Sequence, residues 1–265
     1  MNLLDHGYLT IIPEGCWGSD ELIIESARMS TDKGFQGWGP TTCSTCAGHG
    51  IIPIHTSRSI SPMSRDPKDV QSCPKCEGTG RVAGDEKLLA YLWKHKHLTP
   101  FEMAGATVEV QAPIFVFREW QRHRTQSYNE LSARYTELPD LYYVPDHGRL
   151  ARGGQAITNK QSSGVSLDDT TVSQADLVFR RAHAYSRESY GRLLDLGVAR
   201  ELARGVLPFN QFSRMRASAN LRNWLAFLTL RQAPGAQWEI RVFADALHAE
   251  LSKRFPRTLS LFDES

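Results

Sequence analysis

The sequence predicts a mixed domain of helices and strands, interrupted by a small metal-held module. Two observations carry the main domain. Apolar residues alternate at 8–12 and 106–111, as in half-buried strands. They recur at three- and four-residue steps in longer stretches such as 174–196 and 237–253, as in amphipathic helices. A third observation carries the module: residues 34–84 are rich in Gly, Pro and Ser, poor in periodic apolar residues, and hold two CxxC pairs.

Taken in order, residues 8–12 run into Pro13 and Gly15 and read as a short strand. Ser19 caps a short helix at 20–29, where Leu22, Ile23 and Ala27 share a face. Ser30 closes it, in reach of either a helix-end hydrogen bond or a ligand. Leu88, Leu89, Leu92 and Trp93 make 85–95 helical. Residues 97–102 read as a turn, and 106–111 as a strand with Val108 and Val110 on one side. Pro113 takes the first position of a helix through Ile114, Phe117 and Trp120. The polar, glycine-rich stretch 146–173 reads as a mobile lid. Helices follow at 174–196, 198–206, 216–231 and 237–253. The first has Val178, Ala182, Tyr185, Leu193 and Leu196 as its stripe and ends at Gly197; the last has Ile240, Phe243, Leu247 and Leu251.

Within the module, Cys43-Ser-Thr-Cys46-Ala-Gly-His-Gly50 and Cys73-Pro-Lys-Cys76-Glu-Gly-Thr-Gly80 are two copies of one unit. Each turn aims two thiolates at one point, and the glycines leave amides free to bond the sulfurs. Together Cys43, Cys46, Cys73 and Cys76 complete a closed tetrahedral site for a structural Zn2+. His49 and His55 are then spare and face solvent. Residues 51–72 read as a mobile loop with a hairpin start at 51–54. The units resemble the CxxCxGxG repeats of DnaJ-type chaperones, which implies a zinc knuckle shape but, without a J-domain signature, not a chaperone. A module this small has no core and depends on its ion to fold.

Composition narrows the function. A net charge of +2 over 265 residues supplies no global field for nucleic acid or a membrane surface, so any anion affinity is local. No apolar run spans a bilayer and no secretion signal opens the chain. Four cysteines in CxxC pairs suit a reducing compartment, which points to a cytoplasmic protein. The fifth, Cys16, reads as a core residue, with no base beside it in sequence to make it a nucleophile.

The local anion affinity belongs to residues 122–135, RHRTQSYNELSARY. Arg122, Arg124 and Arg134 present planar forks suited to phosphates and flat polar rings, with no lysine among them. His123, Glu130, Ser132 and Asn129 add titratable and hydrogen-bonding groups. The alternative is a surface loop laced with ion pairs.

The spacing of that string resembles the signature of the flavin-dependent thymidylate synthases. Ala27-Arg-Met-Ser30, Thr99-Pro-Phe-Glu102, Ala112-Pro-Ile-Phe115, Arg204-Gly-Val-Leu-Pro208, Asn220-Leu-Arg222 and Ala236-Gln-Trp-Glu239 are similar to further family segments, in family order. The resemblance covers all but the cysteine region. It implies one domain at 1–33 and 85–265 with an inserted four-cysteine module at 34–84. The implied fold is α+β, an antiparallel sheet flanked by helices, in a homotetramer whose active sites are shared.

The implied reaction is reductive methylation of dUMP to dTMP, with 5,10-methylenetetrahydrofolate giving the carbon and FAD and NADPH the hydride. Arg231 matches the group that activates the uracil ring; alone it would read as a helix-end arginine on a carbonyl. Glu119, Arg122, Glu130, Ser132, Ala133, Arg134 and Arg204 match the rest of the nucleotide site. Ser30, Arg122, His123, Arg124, Glu130, Asn220, Arg222 and Ala226 match the flavin site. Three positions depart from the pattern: Met103 where some relatives carry His, Glu119 where a Gln can occur, and Ala226 in place of a polar contact. Two other readings compete, a hydroxymethyl transfer on the same ligands and a zinc-dependent binding module on an inactive scaffold.

Overall fold

A computed structural model describes residues 3–54, 70–157 and 163–265 of the chain. β1 (Tyr8–Trp17) and α1 (Asp20–Arg28) come first, and the Ser19 hydroxyl accepts from the Leu22 amide at 3.3 Å as the helix cap. An arm follows, built from β2 (Thr41–Thr42), β3 (Ile51–Pro53), β4 (Val70–Ser72) and β5 (Arg81–Val82). The main domain resumes with α2 (Glu86–Lys94), β6 (Gly105–Pro113), α3 (Ile114–Trp120) and β7 (Ser127–Glu130). Next come α4 (His147–Ala151), β8 (Gly154–Gln155) and β9 (Ser163–Val165), then the long α5 (Asp169–Asp195) and short α6 (Arg200–Ala203). β10 (Phe212–Asn220), α7 (Leu221–Arg231), α8 (Trp238–Arg254) and α9 (Pro256–Asp263) complete the chain.

The main sheet is antiparallel in the order β1-β6-β10-β7. One face is apolar: Ala106, Val108, Val110, Met215, Ala217 and Ala219 are buried against α7 and α8. The other carries Thr107, Glu109, Arg216 and Ser218, with Tyr8 donating to Glu109 at 2.9 Å and Arg216 pairing with it at 3.1 Å. An antiparallel sheet tolerates one polar face in this way. The expected row of α8 is fully buried, at Ile240, Phe243, Leu247 and Leu251. Far along the chain, buried Asp20 accepts from the Arg257 amide at 2.9 Å and the Thr258 hydroxyl at 2.6 Å, which fixes α9 to α1.

Several expectations are corrected. The predicted helix at 216–231 is two elements: the strand β10, then α7 from Leu221. The strand wins because Met215, Ala217 and Ala219 alternate with Arg214, Arg216 and Ser218, and β6 and β7 flank it on both sides. Pro113 ends β6 instead of opening α3. The stripe predicted for α5 faces outward, with Val178 66%, Tyr185 74% and Leu196 71% exposed. The helix packs instead through Val172, His183, Ser186 and Tyr190, with the Ser186 hydroxyl donating to the Val206 carbonyl at 2.6 Å. The stretch read as a lid contains α4, capped by Asp146, and the β8–β9 ribbon, and α5 already starts at Asp169. Residues 97–102 run into a 3-10 turn at Thr99–Met103.

The arm leaves and rejoins the main domain at one point. A Cβ added to Gly84 would lie 2.2 Å from the Gly39 carbonyl oxygen. The Asp85 amide donates to the Gly37 carbonyl at 3.0 Å, and the Gly39 amide to Glu86 at 2.6 Å. Buried Asp85 also accepts from Arg28 and from the Gln36 amide. Phe35 and Trp38, inside the stretch predicted as inserted, pack on the main core. The mobile loop expected at 51–72 and its residue His55 lie largely outside the described residues; its ends pair as β3 and β4.

Candidate active site

Three elements converge on a cleft of about 770 Å3. α3 contributes Ile114, Phe117 and Arg118 at helical spacing, and Gln121 follows from its C-cap. The turn after β7 contributes Glu130, Ser132, Ala133 and Arg134, and the turn after α6 contributes Arg204. β7 is held to β10, and the Leu131 amide bonds the Arg214 carbonyl at 2.8 Å, so the polar residues that follow are carried on the sheet edge. Three arginines (Arg118, Arg134, Arg204) face two carboxylates (Glu130, Glu201). Arg134 donates to the Tyr135 hydroxyl at 3.0 Å, and Gln121 holds Glu130 at 3.2 Å. Such a surface of forked cations and small donors suits a phosphorylated ligand.

Of the residues assigned to a nucleotide, Glu130, Ser132, Ala133, Arg134 and Arg204 line this one cleft. Arg118, Gln121 and buried Ser213 line it too and were missed. The i, i+3, i+4, i+7 spacing of Ile114, Phe117, Arg118 and Gln121 was the available signal for the first two.

Glu119, Arg122 and Arg231 do not line it. Glu119 and Arg231 meet on the opposite side of α3. Arg231 Nη1 lies 2.8 Å from Glu119 Oε2, Nη2 donates to the Glu119 carbonyl at 2.7 Å, and Nε donates to His123 Nε2 at 2.9 Å. Arg231 is therefore the helix-end arginine of the plainer reading as well, capping α3 from α7. Three of its five N–H groups are used, which leaves two for a ligand. Burial pushes the Glu119 carboxyl up, opposed by Arg231. Burial and the Arg231 charge hold His123 down to about 4, so its imidazole is neutral, accepts at Nε2 and keeps its proton on Nδ1.

The flavin assignments fall on two neighbouring segments. Arg122 and Arg124 are exposed, and neither pairs with a carboxylate among the described residues. Asn220, Arg222 and Ala226 lie at the start and on the exposed face of α7. Asn223 Nδ2 joins the two segments by donating to the Thr125 carbonyl at 3.1 Å. Asn220 Oδ1 caps α7, and Arg222 pairs with Glu102. The Ser30 hydroxyl donates to the Ala27 carbonyl at 3.1 Å, the helix-end bond. Met103 is 47% exposed. Two arginines without a carboxylate partner among the described residues and a neutral histidine fit a diphosphate-bearing flavin nucleotide.

Residues 16–257 match the model for the thymidylate synthase complementing protein family. The chain belongs to this family. A flavin-dependent thymidylate synthase of Thermus thermophilus is 42% identical over 71% of this chain and 67% of its own length. That of Wolbachia pipientis wMel is 33% identical over 99% of this chain and 75% of its own length. In three dimensions the chain is similar to the UMP/dUMP methylase PolB from Streptomyces cacaoi bound with 5-Br dUMP. The TM-score is 0.72 at 30% identity, covering 100% of this chain and 97% of that one. This member of the thymidylate synthase complementing family is an enzyme, a flavin-dependent methyltransferase, and its antiparallel sheet with flanking helices is the fold the family resemblance implied.

In the arm, the four cysteine sulfurs of this family member lie within 4.8 Å of one another. Cys43 and Cys73 are 3.8 Å apart, Cys46 and Cys76 3.7 Å. A tetrahedral ion with metal–sulfur bonds of about 2.3 Å sets its ligands about 3.8 Å apart, so the cage fits Zn2+. The Gly50 amide donates to Cys46 Sγ at 3.2 Å, as amides do to thiolates. Gly50 and Gly80 have φ of +77° and +72°, and a Cβ at either would strike the other knuckle's backbone, so only glycine fits there. His49 is exposed, as expected of a spare residue.

Proposed function

We propose that this enzyme reductively methylates dUMP to dTMP. 5,10-Methylenetetrahydrofolate is the carbon donor, and FAD, reduced by NADPH, supplies the hydride. The single observation that carries the reading is the shared cleft of Glu130, Ser132, Ala133, Arg134 and Arg204 in a chain of this family. In that cleft the guanidinium groups of Arg134 and Arg204, the Ser132 hydroxyl and the Ala133 amide receive the phosphate dianion. Glu130, steadied by Gln121, accepts from the sugar.

Uracil carbon 5 is a weak nucleophile and needs electron density. Cys16 does not supply it through thiol attack: it sits on β1 against the core with its Sγ on the Ile12 carbonyl at 3.4 Å, outside the cleft lining. Arg231 acts instead. Its two unused N–H groups stabilise negative charge on the ring nitrogen between the carbonyls, which raises the density at carbon 5. Arg122, His123, Arg124, Asn220 and Arg222 hold the flavin, with Ser30 and Ala226 at its margin.

Arg231 and the cleft stand on opposite sides of α3 in one chain, so a neighbouring copy brings its own Arg231 and Arg122 to the nucleotide. The outward Val178, Tyr185 and Leu196 of α5 give that copy an apolar face to cover. The assembly is a homotetramer, and the protein is cytoplasmic; no helix among the described residues is long and apolar enough to cross a membrane. The arm is a module held by one structural Zn2+ and rooted in the main core through Phe35 and Trp38.

The test is purification, absorbance and product mass. The protein purifies yellow, and incubation with dUMP, methylenetetrahydrofolate and NADPH yields a product one CH2 heavier than dUMP. A product carrying one further oxygen would establish hydroxymethyl transfer instead. A colourless protein without turnover would leave only a binding module.

A further inference from the structure

We propose that a second cleft, between α4, β9 and the start of α8, is an anion site that takes a phosphate monoester borne on a flat ring. It measures about 370 Å3 and is lined by Arg149, Arg152, Ser163, Ser166, Trp238 and Arg241. None of these residues lines the nucleotide cleft. The volume is at the small end of ligand pockets, right for one nucleotide-sized molecule and too small for a protein segment.

The site is held from beneath. Glu239, 2% exposed, accepts from Arg149 Nε at 2.8 Å, from the Tyr143 hydroxyl at 3.1 Å and from Gln237 at 2.8 Å. Burial pushes that carboxyl up, but the hydrogen bonds from Arg149 and Gln237 prevail and keep it ionised. Arg149 is thereby matched in charge and fixed in place. It also donates to the Ser163 hydroxyl at 3.2 Å and stands 5.9 Å from the Trp238 ring centroid.

The other two arginines are unmatched. Among the described residues no carboxylate lies within ion-pair distance of Arg152 or Arg241, and Arg241 donates only to the Pro234 carbonyl, at 3.5 Å. Two uncompensated guanidinium groups match the charge of a phosphate monoester. Trp238, half-buried, gives the ring a flat wall, and Ser163 and Ser166 supply hydroxyls at its edge. Two sources share this chemistry: the 2′-phosphoadenosine end of a dinucleotide reductant, and a pyrimidine nucleotide.

Calorimetric titration of the full chain carrying Arg134→Gln/Arg204→Gln, which removes the phosphate partners of the nucleotide cleft and none of the second, separates them. The probes are 2′,5′-ADP, dTMP and inorganic phosphate. Saturable binding of a ring-bearing probe is expected, at least about tenfold tighter than inorganic phosphate. The tighter of the two nucleotides names the source. Adding Arg152→Gln/Arg241→Gln, or exposed Arg152→Gln by itself should the double fail to fold, is expected to weaken that binding about tenfold or more, and the same change in a chain with Arg134 and Arg204 intact leaves the tight dUMP site unaltered. Binding is read without turnover, so the outcome is independent of the methylation assay. Absence of saturable binding by all three probes, equal affinity for inorganic phosphate, or undiminished binding in a folded variant would each overturn the proposal.

Discussion

Glu119 partly neutralises the arginine on which the proposed chemistry depends. Its Oε2 sits 2.8 Å from Nη1 of Arg231, and its main-chain oxygen takes Nη2 as well. A carboxylate so placed fixes the guanidinium and also subtracts from its field.

Glu119→Gln keeps the hydrogen bond and removes the negative charge. The fuller positive charge of Arg231 is expected to raise kcat/KM for dUMP by about threefold to tenfold. Steady-state kinetics on the variant check this; a fall of similar size would mean that the ion pair itself orders the site.

Arg231→Ala removes the charge at the ring. Turnover is expected to drop by about a hundredfold to a thousandfold, while the flavin absorbance of the purified protein stays. Rates near those of the parent would defeat the assignment of ring activation to Arg231.

His123 sets a pH limit. Its pKa is held down to about 4, against an ordinary 6.5, by burial and by Arg231. The unfolded chain therefore takes up a proton before the folded one does. The contribution to stability is whole above about pH 6.5 and is lost as pH falls toward about 4. The effect is modest because the ring is only half buried. Denaturation midpoints measured between those limits are expected to slope less steeply in His123→Asn.

The arm is expected to be dispensable for the main fold. Joining Gly39 directly to Gly84 bridges backbones that already touch. The shortened chain should melt within a few degrees of the parent and still bind dUMP, while its zinc content falls from one per chain to none. Collapse of the melting transition would show that the arm is part of the main core.

Much of this was legible in the sequence, and the exceptions share a cause. The alternation of Val108 and Val110 named β6, and the three- and four-residue steps of Ile240, Phe243 and Leu247 named the buried face of α8, because bulky residues mark those rows. β10 escaped because its inward row is Met215, Ala217 and Ala219, good helix formers made small by close packing. The buried face of α5 escaped for a related reason. It carries His183, Ser186 and Tyr190, whose polar tips find partners only once the chain is folded, while the bulkier apolar row lies outside. At the site, Arg134 and Arg204 were recognisable by family spacing. That α3 parts them from Arg231 is a fact of packing, which no string of residues encodes locally.

That helix is only seven residues long. One side of it lines the cleft through Phe117 and Arg118, and the other, at Glu119, holds the Arg231 guanidinium. An element so short has no play with which to absorb a small rotation on one flank. A rotation that moves Phe117 on one side of α3 therefore moves Glu119, and the guanidinium it holds, on the other.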